Sequence, residues 1–175
     1  MLTRSLFCRT ICGNRCDQLI ITDESTDTKN ILNNRKKVIV LTARVHPGET
    51  VASFKIQGLI KYLLSDHYQV VMMRKKFIFI IIPMLNPDGV INGNYRSNLA
   101  GCDLNRNWDT PSETHHPTIF AAKKLIKQTG IMGRLSLYCD FHGHSKKKNS
   151  FFYGCNNKEK PYASREFPYI MQRVC

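Results

Sequence analysis

Two short histidine-containing clusters are the first candidates for chemistry in this 175-residue sequence. His46 stands three residues before Glu49 in the run HPGE, and Asp140-Phe-His142-Gly-His144 lies far downstream. Two histidines and a glutamate form a ligand set that catalytic zinc takes, with a fourth position left for water. For HPGE alone, an exposed turn histidine beside a glutamate at a helix N-terminus is the alternative. His144 competes with His142 as the second histidine.

Both clusters follow predicted strands, which would place them at one edge of a sheet. Short apolar runs rich in β-branched residues predict strands over Lys37–Ala43, Phe77–Ile82 and Leu135–Phe141. Apolar residues at intervals of three and four predict helices over 51–64 and 117–128. This alternation predicts the α/β class, with a mostly parallel or mixed central sheet flanked by helices. In such sheets, ligands bind at the carboxyl ends of the strands.

The composition indicates one folded and strongly basic domain. Lys and Arg number 26 against 13 Asp and Glu, which gives a formal net charge of +13, and 42% of the residues are hydrophobic. Such a field attracts polyanions, so nucleic acid, an anionic membrane and an acidic protein all suit the charge. The basic residues form no stripe with interleaved aromatics, so no nucleic acid is predicted. No apolar run reaches the about 18 residues of a membrane span, so no membrane is predicted.

The seven cysteines form no CxxC pair, and reduced cytosolic thiols are the simplest interpretation. Cys8, Cys12 and Cys16 recur every four residues, which predicts one buried face of a helix. Arg4 and Arg9 interrupt the apolar residues at the N-terminus, so no signal peptide is predicted there. The polar stretch 22–34 predicts a loop.

The residues between the two histidine clusters carry a further motif. The run MLNPDGVINGNYRSNLAGCDLNRNW covers 84–108 and predicts a long ordered loop with several turns. Together with HPGE and YCDFHGHSKKKNSFFYGC, it resembles the zinc metallocarboxypeptidases of the carboxypeptidase A superfamily, and among these the cytosolic carboxypeptidase branch. The resemblance runs from about residue 4 to the C-terminus. Its four motifs keep their order and spacing: HPGE, NPDGVINGNYR, LAGCDLNRNW and YCDFHGHSKKKNSFFYGC.

The resemblance implies a metal site with a supporting carboxylate. His46, Glu49 and His142 would hold one Zn²⁺ per chain, which leaves His144 a structural or pocket-lining role. Asp103 would accept a hydrogen bond from the first ligand histidine and orient it, as zinc-binding imidazoles require. Asp140, two residues before His142, is a rival for that role.

The same resemblance implies a substrate site in the long loop. Asn105 and Arg106 would bind the free C-terminal carboxylate of a peptide, for which a guanidinium and an amide are well suited. Arg96 would act in catalysis by stabilising the oxyanion as water attacks the scissile carbonyl. The residues 86–89 are expected to form a turn and not to touch substrate.

The function implied is removal of C-terminal residues by zinc-activated water. In the cytosolic branch, these residues are glutamates on acidic tails such as those of tubulin, in the cytoplasm and on the cytoskeleton. A basic protein suits acidic substrates, and the runs 74–76 and 146–148 are candidate contributors.

The sequence departs from the family pattern downstream of His142. Family members use a later glutamate as the general base for the attacking water, and neither Glu159 nor Glu166 matches its motif. We therefore expect 1–175 to be a single, incomplete catalytic domain, the N-terminal half of a zinc carboxypeptidase fold. An inactive zinc-binding fragment that binds acidic tails is the alternative. An amidohydrolase of N-acylated acidic amino acids would share HxxE and a distant histidine, but DLNR and HGHSKKKN favour the carboxypeptidase.

Overall fold

The computed structural model describes residues 2–23 and 34–174. The chain divides into two compact units, Met1–Gly143 and His144–Cys175. Most of the predicted loop 22–34 lies outside the described residues, as does Cys175. No helix among the described residues is both long enough and apolar enough to cross a membrane.

A mixed sheet forms the centre of the first unit. Within the described residues its strands are β1 (Leu2–Arg9), β2 (Arg15–Ile21), β3 (Lys37–Ala43), β4 (Phe77–Ile82) and β5 (Leu135–Phe141). The spatial order is β1-β2-β4-β3-β5. β3 is parallel to both β4 and β5, whereas β2 is antiparallel to its two neighbours. The three predicted strands and the α/β class with a mixed sheet are confirmed.

The helices are α1 (Thr50–Leu63), α2 (Tyr68–Lys76), α3 (Pro87–Ile91), α4 (Pro117–Ile131) and α5 (Ala163–Val174). α1 and α4 confirm the predicted helices: α1 is shifted by one residue, and α4 begins at the predicted residue and ends three residues later. α2 and the short α3 were not predicted. The basic run 74–76 forms the last turn of α2, and α5 belongs to the second unit.

Each face of the central strands packs against a helical layer. On one face Val38 and Val40 join residues of α4 in a buried cluster, and on the other Ile39 and Leu41 join residues of α1 and α2. Strands buried on both faces need apolar side chains at successive positions, which explains the unbroken runs of β3 and β4. The sheet therefore holds the ends of β3 and β5 in a fixed register.

The N-terminal segment is a β-hairpin, so the helix predicted from the cysteine spacing is wrong. Cys8 on β1 lies opposite Cys16 on β2, and Cys12 lies in the turn between them. A spacing of four also fits a strand, a turn and a returning strand. The turn is fastened to the rest of the unit by Asp88, whose carboxylate accepts hydrogen bonds from Thr10 Oγ1 at 2.6 Å and the Cys12 backbone N–H at 3.1 Å.

Candidate metal centre

The two histidine clusters meet at the carboxyl ends of β3 and β5. These strands are parallel neighbours, and Thr42 and Ala43 pair with Asp140 and Phe141. The HPGE turn follows β3 within the same unit, and its last residue, Glu49, directly precedes α1. Strand pairing thus brings together residues that are far apart in the sequence.

The side chains of His46, Glu49 and His142 converge on one point. Oε1 of Glu49 lies 2.8 Å from Nδ1 of His46, and its Oε2 lies 3.1 Å from Nδ1 of His142. The backbone N–H of Gly143 donates to the same Oε2 at 2.7 Å. One ligand atom from each of the three side chains lies within 4.8 Å of the others. These three side chains, two imidazoles and one carboxylate, are called the metal cluster below.

Each imidazole is bound at its Nε2 atom by a different carboxylate. Nε2 of His46 lies 3.0 Å from Oδ1 of Asp103, and Nε2 of His142 lies 2.7 Å from Oδ2 of Asp140. A hydrogen bond from Nε2–H to a carboxylate leaves the lone pair of a neutral imidazole on Nδ1, which here faces the other ring and Glu49. The donor types and the carboxylate partners therefore fit Zn²⁺. Asp103 and Asp140 are not rivals, since each serves a different histidine.

The electrostatics of the cluster follow from these contacts. Burial raises the pKa of Asp103, but hydrogen bonds from His46 and the Asn105 backbone N–H outweigh it and hold that pKa below its ordinary value. Burial lowers the pKa of His142, but Asp140 and Glu49 outweigh it and raise that pKa above its ordinary value. In each case neighbouring groups of opposite charge favour the charged form, which is the carboxylate of Asp103 and the imidazolium of His142.

Thr42 is a supporting residue that the sequence analysis missed. Its hydroxyl donates to Oδ1 of Asp140 at 2.7 Å, so both oxygens of that carboxylate are bound. Tyr138 lies within 3.1 Å of the same hydroxyl, and burial raises the pKa of Tyr138 above its ordinary value. Thr42 lies opposite Asp140 on the neighbouring parallel strand; the sequence predicted both strands but not their pairing, so Thr42 was not identified.

The long loop places two of the three predicted substrate residues beside the metal cluster. Nε of Arg96 donates to Oδ2 of Asp103 at 2.7 Å, while 44% of the Arg96 side chain stays exposed. The backbone N–H of Asn105 donates to Oδ1 of Asp103 at 2.9 Å, and its side-chain oxygen accepts from Nε1 of Trp108 at 2.8 Å. Asp103 therefore joins the metal cluster to the predicted substrate residues.

Arg106 is exposed, and its guanidinium contacts a neighbouring backbone carbonyl. Nη1 donates to the Asn105 carbonyl oxygen at 3.3 Å. In the part of the chain that the structure describes, it makes no hydrogen bond to His46, Glu49 or His142. The structure thus does not bring Arg106 into the cluster, and its role in carboxylate binding stays a prediction.

The residues 86–89 begin helix α3, where the sequence predicted a turn, and they support the loops around the site. Asn86 caps α3 by accepting from the Gly89 backbone N–H at 3.0 Å. Its Nδ2 donates to the carbonyl oxygens of Val45 at 3.2 Å and Ser97 at 3.4 Å. Val45 precedes His46 and Ser97 follows Arg96, so the buried Asn86 amide ties the HPGE turn to the long loop.

The remaining predicted residues lie in the second unit. Nδ1 of His144 accepts from the backbone N–H groups of Lys146 and Lys147 at 3.1 and 3.0 Å, which is a structural role. Nζ of Lys147 lies 4.7 Å from the centre of the Phe151 ring. Glu166 lies in the first turn of α5.

The zinc carboxypeptidase family matches residues 2–174 of this sequence. The chain belongs to the zinc carboxypeptidase family. Human cytosolic carboxypeptidase 1 is 49% identical over 160 residues, and cytosolic carboxypeptidase 2 of Xenopus tropicalis is 44% identical over 169 residues. A putative carboxypeptidase A from Shewanella denitrificans is similar in structure, with a TM-score of 0.71 and 32% identity.

These matches confirm the family inferred from the motifs and its carboxypeptidase class. They cover 89% of this zinc carboxypeptidase chain but 13% of the human relative, and 95% of the chain but 17% of the frog relative. The Shewanella structure matches 82% of the chain and 35% of its own length. The chain therefore spans a small part of the curated relatives that it resembles.

Proposed function

We propose that this chain forms the zinc-binding part of a cytoplasmic metallocarboxypeptidase that removes C-terminal glutamates from acidic protein tails, tubulin among them. The observation that carries the proposal is the convergence of His46, Glu49 and His142 with a carboxylate behind each imidazole. When bound there, zinc would polarise the scissile carbonyl and lower the pKa of a water molecule. The names of the relatives favour the cytoplasm as the location.

The protein's own residues supply the orientation of the site. Asp103 and Asp140 keep Nδ1 of each histidine available as a ligand atom, and the Gly143 backbone N–H holds Glu49 between the two rings. Asp103 also fixes the position of Arg96 through Nε. The terminal nitrogens of Arg96 make no hydrogen bond within the described residues, so they remain available for a carbonyl oxygen or a carboxylate.

Charge supports an acidic substrate. The chain carries a formal net charge of +13, and Arg96 and Arg106 are both exposed close to Asp103 in the sequence. A field of this sign accelerates encounter with polyglutamate and disfavours basic tails. Arg96, which is bonded to Asp103, would bind the terminal carboxylate through a planar pair of N–H groups, a geometry that lysine lacks.

A second candidate function is binding of acidic tails without hydrolysis. It is favoured because each carboxylate of the site already has partners. Glu49 contacts both histidines. Asp103 contacts His46 and Arg96, and Asp140 contacts His142. A general base needs an oxygen that is free to accept a proton from water. Within the described residues of this cluster, no further carboxylate stands ready for that role.

The experiment that tests the proposal measures binding and hydrolysis on the same peptides. The zinc-loaded chain is mixed with a peptide that ends in several glutamates, and with the matched peptide that ends in glutamines. Binding is followed by fluorescence anisotropy, and released glutamate is quantified by mass spectrometry. We expect tighter binding of the glutamate peptide, with an affinity that falls as salt concentration rises.

The outcomes separate the two candidate functions. Release of glutamate that stops when zinc is chelated supports the peptidase, whereas zinc-dependent binding without release supports the tail-binding module. Equal affinity for the glutamate and glutamine peptides would contradict both. Arg96→Ala serves as the site variant, and Arg4→Ala, another exposed arginine paired with an aspartate, is the matched control.

A further inference from the structure

The cysteines that face each other on the N-terminal hairpin form a second cluster of reactive groups, away from the metal ligands. Cys8 on β1 and Cys16 on β2 are directly opposite partners in an antiparallel pair. Such partners share one face of the sheet and have Cα atoms about 4.5–5.5 Å apart. A disulfide requires Cα atoms about 4.4–6.8 Å apart, so this register suits one.

The surroundings of the two sulfurs differ. Cys16 is 1% exposed and lies in the buried cluster beneath α4, whereas Cys8 is half-buried and packs against that cluster. The thiol of Cys16 donates to the Met84 carbonyl oxygen at 3.4 Å. The neighbouring Cys16 lowers the pKa of Cys8, whereas Cys8 and burial raise the pKa of Cys16.

Cys8 is accessible from solvent through a groove on the protein surface. It lines a groove of about 500 Å³ between the hairpin and α4. The groove carries an apolar wall that includes Phe120, two cations, Arg9 and Lys124, and one acid, Glu113. A small anionic molecule with a disulfide bond therefore has both space and a favourable charge beside the Cys8 sulfur.

We propose that Cys8 and Cys16 form a dithiol site that is oxidised by a low-molecular-weight anionic disulfide of the glutathione type. The Cys8 thiolate attacks one sulfur of oxidised glutathione, which breaks that disulfide, forms a mixed disulfide on Cys8 and releases one glutathione. Cys16 then loses its proton and attacks the Cys8 sulfur, which releases the second glutathione. Two electrons and two protons pass from the protein to oxidised glutathione, which leaves as two thiols.

The site does not depend on the proposed function. Its residues lie on β1, β2 and α4, whereas the metal ligands follow β3 and β5. Cys12 provides an internal comparison, since it is exposed in the hairpin turn and close in sequence to both partners. In an unfolded chain Cys12 would compete for either sulfur, so a preference for the Cys8–Cys16 bond reports the folded register.

The test exposes the full chain to a buffer of oxidised glutathione, followed by acid quenching, alkylation of free thiols and peptide mass spectrometry. For the wild type we expect a Cys8–Cys16 bond, seen as the loss of two hydrogen masses with no glutathione retained. Cys16→Ser and Cys16→Ala should both stop at a glutathione adduct on Cys8. Cys8→Ser should leave Cys16 unmodified, and Cys12→Ser should react as the wild type does.

Two results would overturn the proposal. One is a wild-type chain that accumulates the Cys8 adduct without closing to Cys16, since the two sulfurs would then be unable to meet. The other is a majority of bonds that contain Cys12. The cationic disulfide cystamine tests the charge argument: slower reaction than with oxidised glutathione supports the anionic class, and faster reaction contradicts it.

Discussion

Asp140 and His142 are two residues apart on one strand end, and Nε2 of the histidine lies 2.7 Å from Oδ2 of the aspartate. Successive side chains of a strand alternate between faces, so residues two apart point the same way. This spacing brings the Asp140 carboxylate within hydrogen-bond distance of the His142 imidazole. The lone pair on Nδ1 of His142 is thereby directed at the point where Glu49 and His46 meet.

The first prediction concerns this pair. Asp140→Asn should lower zinc affinity by about 10–100-fold, because the amide removes the negative charge that makes the imidazole a stronger ligand. Competition with a fluorescent zinc chelator measures the change. Asp66→Asn, an exposed aspartate at the end of α1, is the matched control and should bind zinc as the wild type does. An Asp140→Asn chain with unaltered affinity would show that the pair does not support the metal.

The second prediction concerns the glycine beside His142. A Cβ at Gly143 would lie 2.9 Å from Cγ1 of Val51 and 3.4 Å from Cβ of Glu49. Gly143→Ala should therefore displace Glu49 and weaken zinc binding by about tenfold, a loss like that from a disturbed ligand support. Zinc titration with the same chelator measures it.

A double variant separates crowding from a general loss of structure. Val51→Ala removes the nearest atom, so Val51→Ala with Gly143→Ala should recover part of the lost affinity. Gly58→Ala is the control for adding a methyl group, because no atom lies within 4 Å of a Cβ at that position in α1. Equal weakening by Gly58→Ala, or no recovery in the double variant, would contradict the crowding argument.

The third prediction concerns Asp88, which fastens the hairpin turn to helix α3. Its carboxylate accepts from Thr10, the Cys12 backbone N–H and Asn14 at 2.6, 3.1 and 2.9 Å, and the residue is 3% exposed. Asp88→Ala leaves one buried and two partly buried donors without their acceptor and should lower the free energy of unfolding by about 3 kcal/mol. Urea denaturation measures the loss.

The hairpin turn offers a smaller change as a check on the same contact. Thr10→Val removes one donor and should lower the free energy of unfolding by about 1 kcal/mol. Asp66→Ala, at an exposed position, should change it by less than about 0.5 kcal/mol. If Asp88→Ala destabilised the chain no more than Asp66→Ala does, the fastening role would be wrong.

The fourth prediction separates substrate binding from metal binding. Among the residues that the structure describes, Asp103 is the link between Arg96 and the metal cluster, and 44% of the Arg96 side chain is exposed. Arg96→Ala should keep zinc affinity within about tenfold of wild type and lower affinity for the polyglutamate peptide by about 10-fold or more. Isothermal calorimetry measures the two affinities on one sample. Loss of zinc with retained peptide binding would reverse the assigned roles.

The central strands and the long helices could be predicted because each carries a strong local pattern. The apolar runs of β3, β4 and β5 are buried between two layers, and α1 and α4 repeat apolar residues at helical intervals. The N-terminal hairpin was not predicted because the burial pattern of β1 does not follow hydrophobicity. Leu2 and Leu6 are exposed, whereas Thr3 and Ser5 are half-buried. The turn pair Gly13-Asn14, with Gly13 at φ 75°, was the available signal.

The candidate site was readable from the sequence because its ligands follow strands. His46, Glu49, His142 and Asp103 were identified from motif resemblance, and the structure brings them together. The support by Gly143 was not readable, because a backbone N–H has no signature in residue type. Helix α2 was missed because its sequence YQVVMMRKK has no clear apolar face. Its Arg74 is engaged with the carbonyl oxygens of Leu63 and Ser65, which sequence spacing does not reveal.

Zinc stoichiometry tests the central claim most directly. The purified chain is saturated with zinc and dialysed, and its zinc content is measured by inductively coupled plasma mass spectrometry. The variants His46→Ala, Glu49→Gln and His142→Ala are treated in the same way. His67→Ala, at an exposed histidine, is the control. We predict one zinc per chain for the wild type and for His67→Ala, and a large loss for each of the three ligand variants. Zinc content in His46→Ala equal to that of the wild type would contradict the account.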